Sequence, residues 1–189
     1  IKECDWSSDV CSSDLMALPQ GLPRHTTEHL RLIGRLDVMT VTSTFAPMTA
    51  TTKVLVDPEE IRSFLTMHAP DSHTYPDSPE SRLWYGIRED RKLVAVGAMT
   101  QWESGATMLA SVATHREYRG KGLATAVARD AMFYARKGGV SQISLAVTSD
   151  NAAAIRAYAR AGFMRLAAMS IFEPVEPLPI NVSLHTLAP

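Results

Sequence analysis

The chain has 189 residues, 46% of them hydrophobic and 21% charged, with a formal net charge of −1. That length suits one ordinary domain with a substantial core, and the composition excludes a collagen-like, disulfide-framed or wholly disordered chain. No apolar run reaches the roughly 18 residues of a membrane-spanning helix, and the near-zero charge argues against general affinity for nucleic acid, which needs many phosphate-neutralising cations.

The first fifteen residues, IKECDWSSDVCSSDL, stand apart. They hold both cysteines, Cys4 and Cys11, and the acids Glu3, Asp5, Asp9 and Asp14 against one basic residue. A basic start, an apolar stretch and a small-residue cleavage site are all missing, so the string does not read as a signal peptide. It resembles translated sequencing-adapter read-through, and residues 1–15 are expected to be an artefactual or disordered leader. The body without them has no cysteine, which excludes a cysteine nucleophile, a redox pair and a thiolate zinc site from the fold. A cysteine-free body also fits a reducing cytoplasm.

Residues 16–52 carry weak signals and read as a loosely defined segment or the remnant of a preceding half. His25–Leu36 fits a short helix capped by Thr26 or Thr27, and Val38–Phe45 an extended run before Pro47. Lys53–Val56 is β-prone. Asp57-Pro58-Glu59-Glu60 starts a helix, with an Asp cap, Pro in the first turn and acids near the positive end of the dipole. Ile61, Phe64, Leu65 and His68 follow at helical spacing, and residues 70–79 form a polar loop.

Leu83–Arg88, Leu93–Gln101 and Met108–Thr114 are β-type runs with short connections, the pattern of an antiparallel meander. A helix over about 122–137 closes at Gly138-Gly139. A strand over 143–147, a helix over 151–161 ended by Gly162, and a β-run over 163–172 complete residues 53–175. A Pro-spaced tail follows over 176–189. The expected fold is α/β with a mixed sheet: a meander followed by β-α-β-α-β, a right-handed parallel crossover from 108–114 to 143–147, and helices on both faces.

Between the strand ending at Thr114 and the following helix lies Arg119-Gly120-Lys121-Gly122-Leu123-Ala124. Its glycines allow sharp turning and close backbone approach. The helix beyond offers unpaired amides and the positive end of its dipole, a good seat for phosphate. The spelling fits neither a P-loop nor a Rossmann turn, since Gly122 follows Lys121 and Thr125 stands where a third glycine or alanine is needed. It does fit R-x-x-G-x-A, and with Val112–Ala124 around it resembles the acetyl-CoA pyrophosphate loop of the GNAT N-acetyltransferase superfamily. Downstream, Asn151 to Phe163 fits that family's N-x-x-A-x-x-x-Y-x-x-x-G-F helix throughout. The resemblance covers roughly Asp57 to Phe172.

The resemblance implies acetyl-CoA in a V-shaped opening between strands 108–114 and 143–147. Backbone groups of Val112, Ala113 and Thr114 would pair with the pantetheine arm. The amides of Arg119, Gly120, Lys121, Gly122, Leu123 and Ala124 would hold the pyrophosphate, with Asn151 beside the pantetheine and Tyr158 near the sulfur. A primary amine would attack the thioester directly, with Tyr158 steadying the departing thiolate and no metal required. A silent CoA-binding domain, acting as sensor or structural half of a tandem protein, is the alternative. Glu103, His115 and Asp150 are the candidate bases, none singled out by spacing. His25-Thr26-Thr27-Glu28-His29 spells the inverted zinc-peptidase motif but lacks a third ligand. A homodimer through strand 163–172 stays open, and the acceptor is not legible.

Overall fold

The computed structural model describes residues 16–23, 27, 29–42, 44 and 46–175. The elements run β1 (Met16–Pro19), β2 (Leu30–Thr42), β3 (Lys53–Val54), α1 (Pro58–His68), β4 (Ser81–Glu89), β5 (Lys92–Gln101) and β6 (Thr107–Thr114). A single 3-10 turn, Arg116–Tyr118, precedes α2 (Leu123–Lys137), β7 (Gln142–Thr148), α3 (Ala152–Arg160) and β8 (Met164–Pro174). The strands form one sheet in the order β1-β8-β2-β7-β6-β5-β4-β3. Its strand pairs are antiparallel except β6 with β7, which run parallel. The meander and the β-α-β-α-β unit stand where the sequence patterns put them.

Local chemistry explains the helix boundaries. The Asp57 carboxylate accepts from the amides of Glu59 at 3.0 Å and Glu60 at 3.2 Å, and Pro58 opens α1. Gly122 opens α2 at φ 80°. The Gly138 amide returns to the Tyr134 carbonyl and that of Val140 to Ala135, closing the same helix. Asn151 caps α3 by accepting from the Ala154 amide at 3.0 Å, and Gly162, at φ 100°, turns the chain into β8.

The sheet is covered differently on its two faces. Ile61, Phe64 and Leu65 of α1 pack with Trp84, Val96, Ala98 and Ala113. On the opposite face Val127, Ala128, Ala131 and Met132 of α2, with Tyr158 of α3, pack on Tyr85, Val94, Leu109, Leu145 and Val147. Close approach of α2 depends on Gly97, where a Cβ would stand 2.5 Å from Val127 Cγ1.

The expected helix over 25–36 is corrected: Leu30–Thr42 is one long strand. It inserts between β7 and β8, pairing Leu36–Thr42 with Gln142–Thr148 and Leu30–Thr40 with Met164–Pro174. Alternation puts Asp37, Met39 and Val41 on the buried side. The ladder partners of these β-branched and apolar residues outweigh a weak local preference, and Gly34 is a poor helix residue in any case. The Thr26 cap, and His25 and Glu28 of the zinc-like string, lie outside the described residues, as do 1–15 and 176–189. Strand 163–172 is not a free edge: β2 lines one side, and β1 lines the other over Met169–Phe172.

The connection from β2 to β3 is fastened to α2 by a fully buried carboxylate. Asp130 Oδ2 accepts from the amides of Thr51 at 2.6 Å and Thr52 at 2.7 Å. The Arg129 guanidinium lies 3.4 Å from Oδ1 and donates to Thr51 Oγ1 at 3.0 Å. The Tyr134 hydroxyl donates to the Thr52 carbonyl at 3.1 Å.

Candidate active site

The parallel strands β6 and β7 meet in register at one position, Met108 opposite Ser144. Beyond it they part towards their carboxyl ends. The parting begins at a bulge: the β5–β6 register shifts between Val96 and Ala98, and Ser111 takes φ 45°. Ser111 Oγ donates to the Thr74 carbonyl at 2.9 Å, fastening the bulge to the 70–79 loop on the α1 face. The His115 amide bonds to the Val94 carbonyl on the β5 side. By alternation, the backbone groups of Thr114 point the other way, into the opening. Val112, Ala113 and Thr114 thus form the β6 wall.

The strand leads into the glycine loop. Gly120 and Gly122 both have φ 80°, a conformation most side chains resist. No side chain caps α2 at Gly122, so the first-turn amides of Leu123 and Ala124 face outward without intrahelical partners. Lys121 stands exposed beside them, its Nζ 4.3 Å from the Tyr118 ring centroid. The Arg119 side chain is engaged elsewhere. Its guanidinium donates to the His68 carbonyl at 2.8 Å and to the Thr114 carbonyl at 3.4 Å, tying the loop to the end of α1.

Across the opening, α3 presents Asn151 and Tyr158. The Asn151 side-chain oxygen is spent on its helix cap, which leaves its NH2 group as the donor towards a ligand. Tyr158 is buried, with its ring 6.2 Å from that of Phe163 and its hydroxyl unpartnered among the described residues. Burial pushes this phenol up to about 12. Tyr85 on β4 is fully enclosed, its hydroxyl also unpaired, and burial together with Asp130, Tyr134 and Tyr158 raises it further from the usual phenol range.

These tyrosines imply an alkaline weakness. An unfolded chain releases phenol protons near pH 10, whereas the fold holds them. Stability is therefore complete below pH 10 and falls as the pH rises towards 12, by about 2–3 kcal/mol from Tyr158 alone. Urea midpoints at pH 9 and pH 11.5 measure this, and Tyr158→Phe should flatten the fall. Equal midpoints in the wild type would contradict it.

The candidate bases separate by position. Glu103 lies in the exposed turn before β6, about 20 Å of strand from the glycine loop. His115 is buried with its Nδ1 accepting the Glu117 amide at 3.3 Å. Asp150 is exposed in the turn before α3. Three features were not read from the sequence: the Ser111 bulge, the use of Arg119 as a tie, and a stack of His68 on His115. Ser111 has no local signal for a bulge, while both histidines are visible in the chain but are brought together only by the fold.

The model of the acetyltransferase (GNAT) family matches residues 52–163. The chain belongs to the GNAT acetyltransferase family. Solved structures of the fold agree. A GCN5-related N-acetyltransferase from Kribbella flavida superposes with a TM-score of 0.66 at 24% identity, covering 86% of this chain and 68% of that one. Another from Sphaerobacter thermophilus gives 0.64 at 17% identity over 86% and 60%. A Bacillus subtilis acetyltransferase in complex with CoA gives 0.53 at 14% identity over 66% and 97%. No curated protein matches the sequence. In this GNAT chain, no helix among the described residues is long and apolar enough to cross a membrane, and no group of three metal-ligating side chains occurs among them.

Proposed function

We propose that this GNAT domain is a cytoplasmic N-acetyltransferase, moving the acetyl group of acetyl-CoA to a primary amine by direct attack. One observation carries the reading. The only parallel strand pair among the described residues meets at a single register position and then opens beside a helix whose amino end is entered through two left-handed glycines and lacks a side-chain cap. Such an opening offers strand-like hydrogen bonding to an extended arm, and the helix end offers amides to a diphosphate.

Val112 and Thr114 would hold the pantetheine through their backbone groups, with Ala113 between them turned to β5 and the Asn151 NH2 group on the other side. The amides of Gly120 to Ala124 would hold the diphosphate, that of Arg119 being returned to the Arg116 carbonyl at 3.4 Å, and Lys121 adds charge there. Arg119 acts by fixing the loop. The amine nitrogen bonds to the thioester carbonyl carbon, the resulting oxyanion is steadied by a β6 amide near Val112, the nitrogen gives one proton to solvent, and the C–S bond then breaks to leave the amide and the CoA thiolate. Tyr158 donates a hydrogen bond to the sulfur as it gains charge. With its phenol near 12 against about 8.5 for an ordinary thiol, full proton transfer is uphill by about 5 kcal/mol, so stabilisation of the thiolate precedes its protonation.

Calorimetry with CoA and acetyl-CoA, followed by thiol release with a panel of primary amines, tests the reading. Heat of binding and amine-dependent thiol release are expected. No heat from either coenzyme with folded protein would overturn it. Binding without release for any amine would leave the silent CoA-binding domain in its place.

A further inference from the structure

We propose that His115 is the positioning residue of the diphosphate loop, acting through the acceptor nitrogen of its ring and braced by His68. The inference rests on the coenzyme reading above and concerns a side chain that contributes no group to the coenzyme. His115 stands where β6 ends and the 3-10 turn begins. Its carbonyl accepts from the Tyr118 amide at 2.8 Å, and its Nδ1 accepts from the Glu117 amide at 3.3 Å. One residue therefore sets the turn twice, once through its backbone and once through its ring. A ring nitrogen accepts only while it carries no proton.

Contacts on either side carry that shape to the glycines. Behind His115, the His68 ring lies 4.0 Å away, tilted by 42°, and Phe64 backs it at 4.8 Å. In front, Tyr118 meets His115 edge-on at 5.2 Å and 88°. Lys121, between the two left-handed glycines, sits over the Tyr118 ring. Arg119 closes the circuit by donating to the His68 carbonyl. The brace thus runs from α1 through both imidazoles and Tyr118 to Lys121.

The surroundings favour the uncharged form of His68. His68 is buried with Nδ1 sealed and unpartnered. Burial first, then His115 and the cations Arg116, Lys92 and Arg119, hold it below the usual imidazole range. Lys92 comes from β5, His68 from α1, and Arg116, Glu117, Tyr118, Arg119 and Lys121 from the loop itself. The one carboxylate among them, Glu117, lies 4.0 Å from His115 Nδ1 and 3.8 Å from Lys92 Nζ. Without the His115 ring nitrogen the Glu117 amide loses its acceptor, so the turn loses the geometry that aims the glycine-loop amides.

Dephospho-CoA is the probe, because it carries the diphosphate without the 3′-phosphate. Its affinity is measured by calorimetry at pH 8 for the wild type, His115→Asn and His115→Leu, with melting temperatures alongside. An asparagine oxygen can accept the same amide. At pH 8 the affinity of His115→Leu is expected to lie about tenfold below that of wild type, the equivalent of one hydrogen bond, while His115→Asn stays within about twofold. His115→Leu should raise KM for acetyl-CoA about tenfold at pH 8 with kcat nearly unchanged, the signature of lost ground-state positioning. Equal losses of affinity in His115→Asn and His115→Leu overturn the proposal, as does wild-type binding by His115→Leu. If the leucine variant does not fold, the asparagine comparison alone decides. Wild-type protein that ignores dephospho-CoA at pH 8 fails the coenzyme reading itself, and this inference with it.

Discussion

Tyr158→Phe is expected to lower turnover at least about tenfold while the affinity for CoA stays within about twofold. The ring fills the same space in the core beside Phe163, so the variant removes one hydroxyl and little packing. That hydroxyl has no partner among the described residues and is held protonated by burial to about 12. It is a donor at every working pH. The ground state gains little from it, whereas sulfur carrying charge as the C–S bond breaks gains a charge-assisted hydrogen bond. The loss should therefore appear in kcat and not in coenzyme binding. Steady-state kinetics beside calorimetry separate the two, and unchanged turnover would remove Tyr158 from the chemistry.

Asp130→Ala is expected to destabilise the fold by about 3–5 kcal/mol, because it strips the acceptor from two amides and leaves them without a partner. Thr52 is itself buried, so water cannot easily replace the carboxylate there. For a domain of this size that corresponds to a melting temperature lower by about 10–15 °C. Asp130→Asn should cost roughly 1–2 kcal/mol, since one oxygen can still accept both amides while the charge and the contact with Arg129 are lost. Thermal and urea unfolding check both. An alanine variant melting within about 3 °C of wild type would show that the connection is held by other means.

Much of this was legible in the chain, for local reasons. Asp57-Pro58 marks the start of α1, Gly138-Gly139 marks the end of α2, and short polar turns separate β4, β5 and β6. The glycine loop and the Asn151–Phe163 helix could be read because each is spelled by residues adjacent in sequence. What escaped depends on distant partners. Leu30–Leu36 becomes strand only because β8 lies beside it. Arg119 reads as a phosphate ligand until the His68 carbonyl is found in front of it. Asn151 reads as a pantetheine contact, yet its oxygen is committed to a helix cap. The pairing of His68 with His115 joins residues that share no motif.

The place of β2 has a consequence for biosynthesis. The Thr40 hydroxyl donates to the carbonyl of Ile143, 103 positions later in the chain. At about 5–20 residues per second, the ribosome needs roughly 5–20 seconds between making that threonine and making its partner. During this interval an apolar, hairpin-less ribbon waits with both ladders vacant, so the nascent polypeptide should be most vulnerable to chaperone capture or clumping just before β7 emerges.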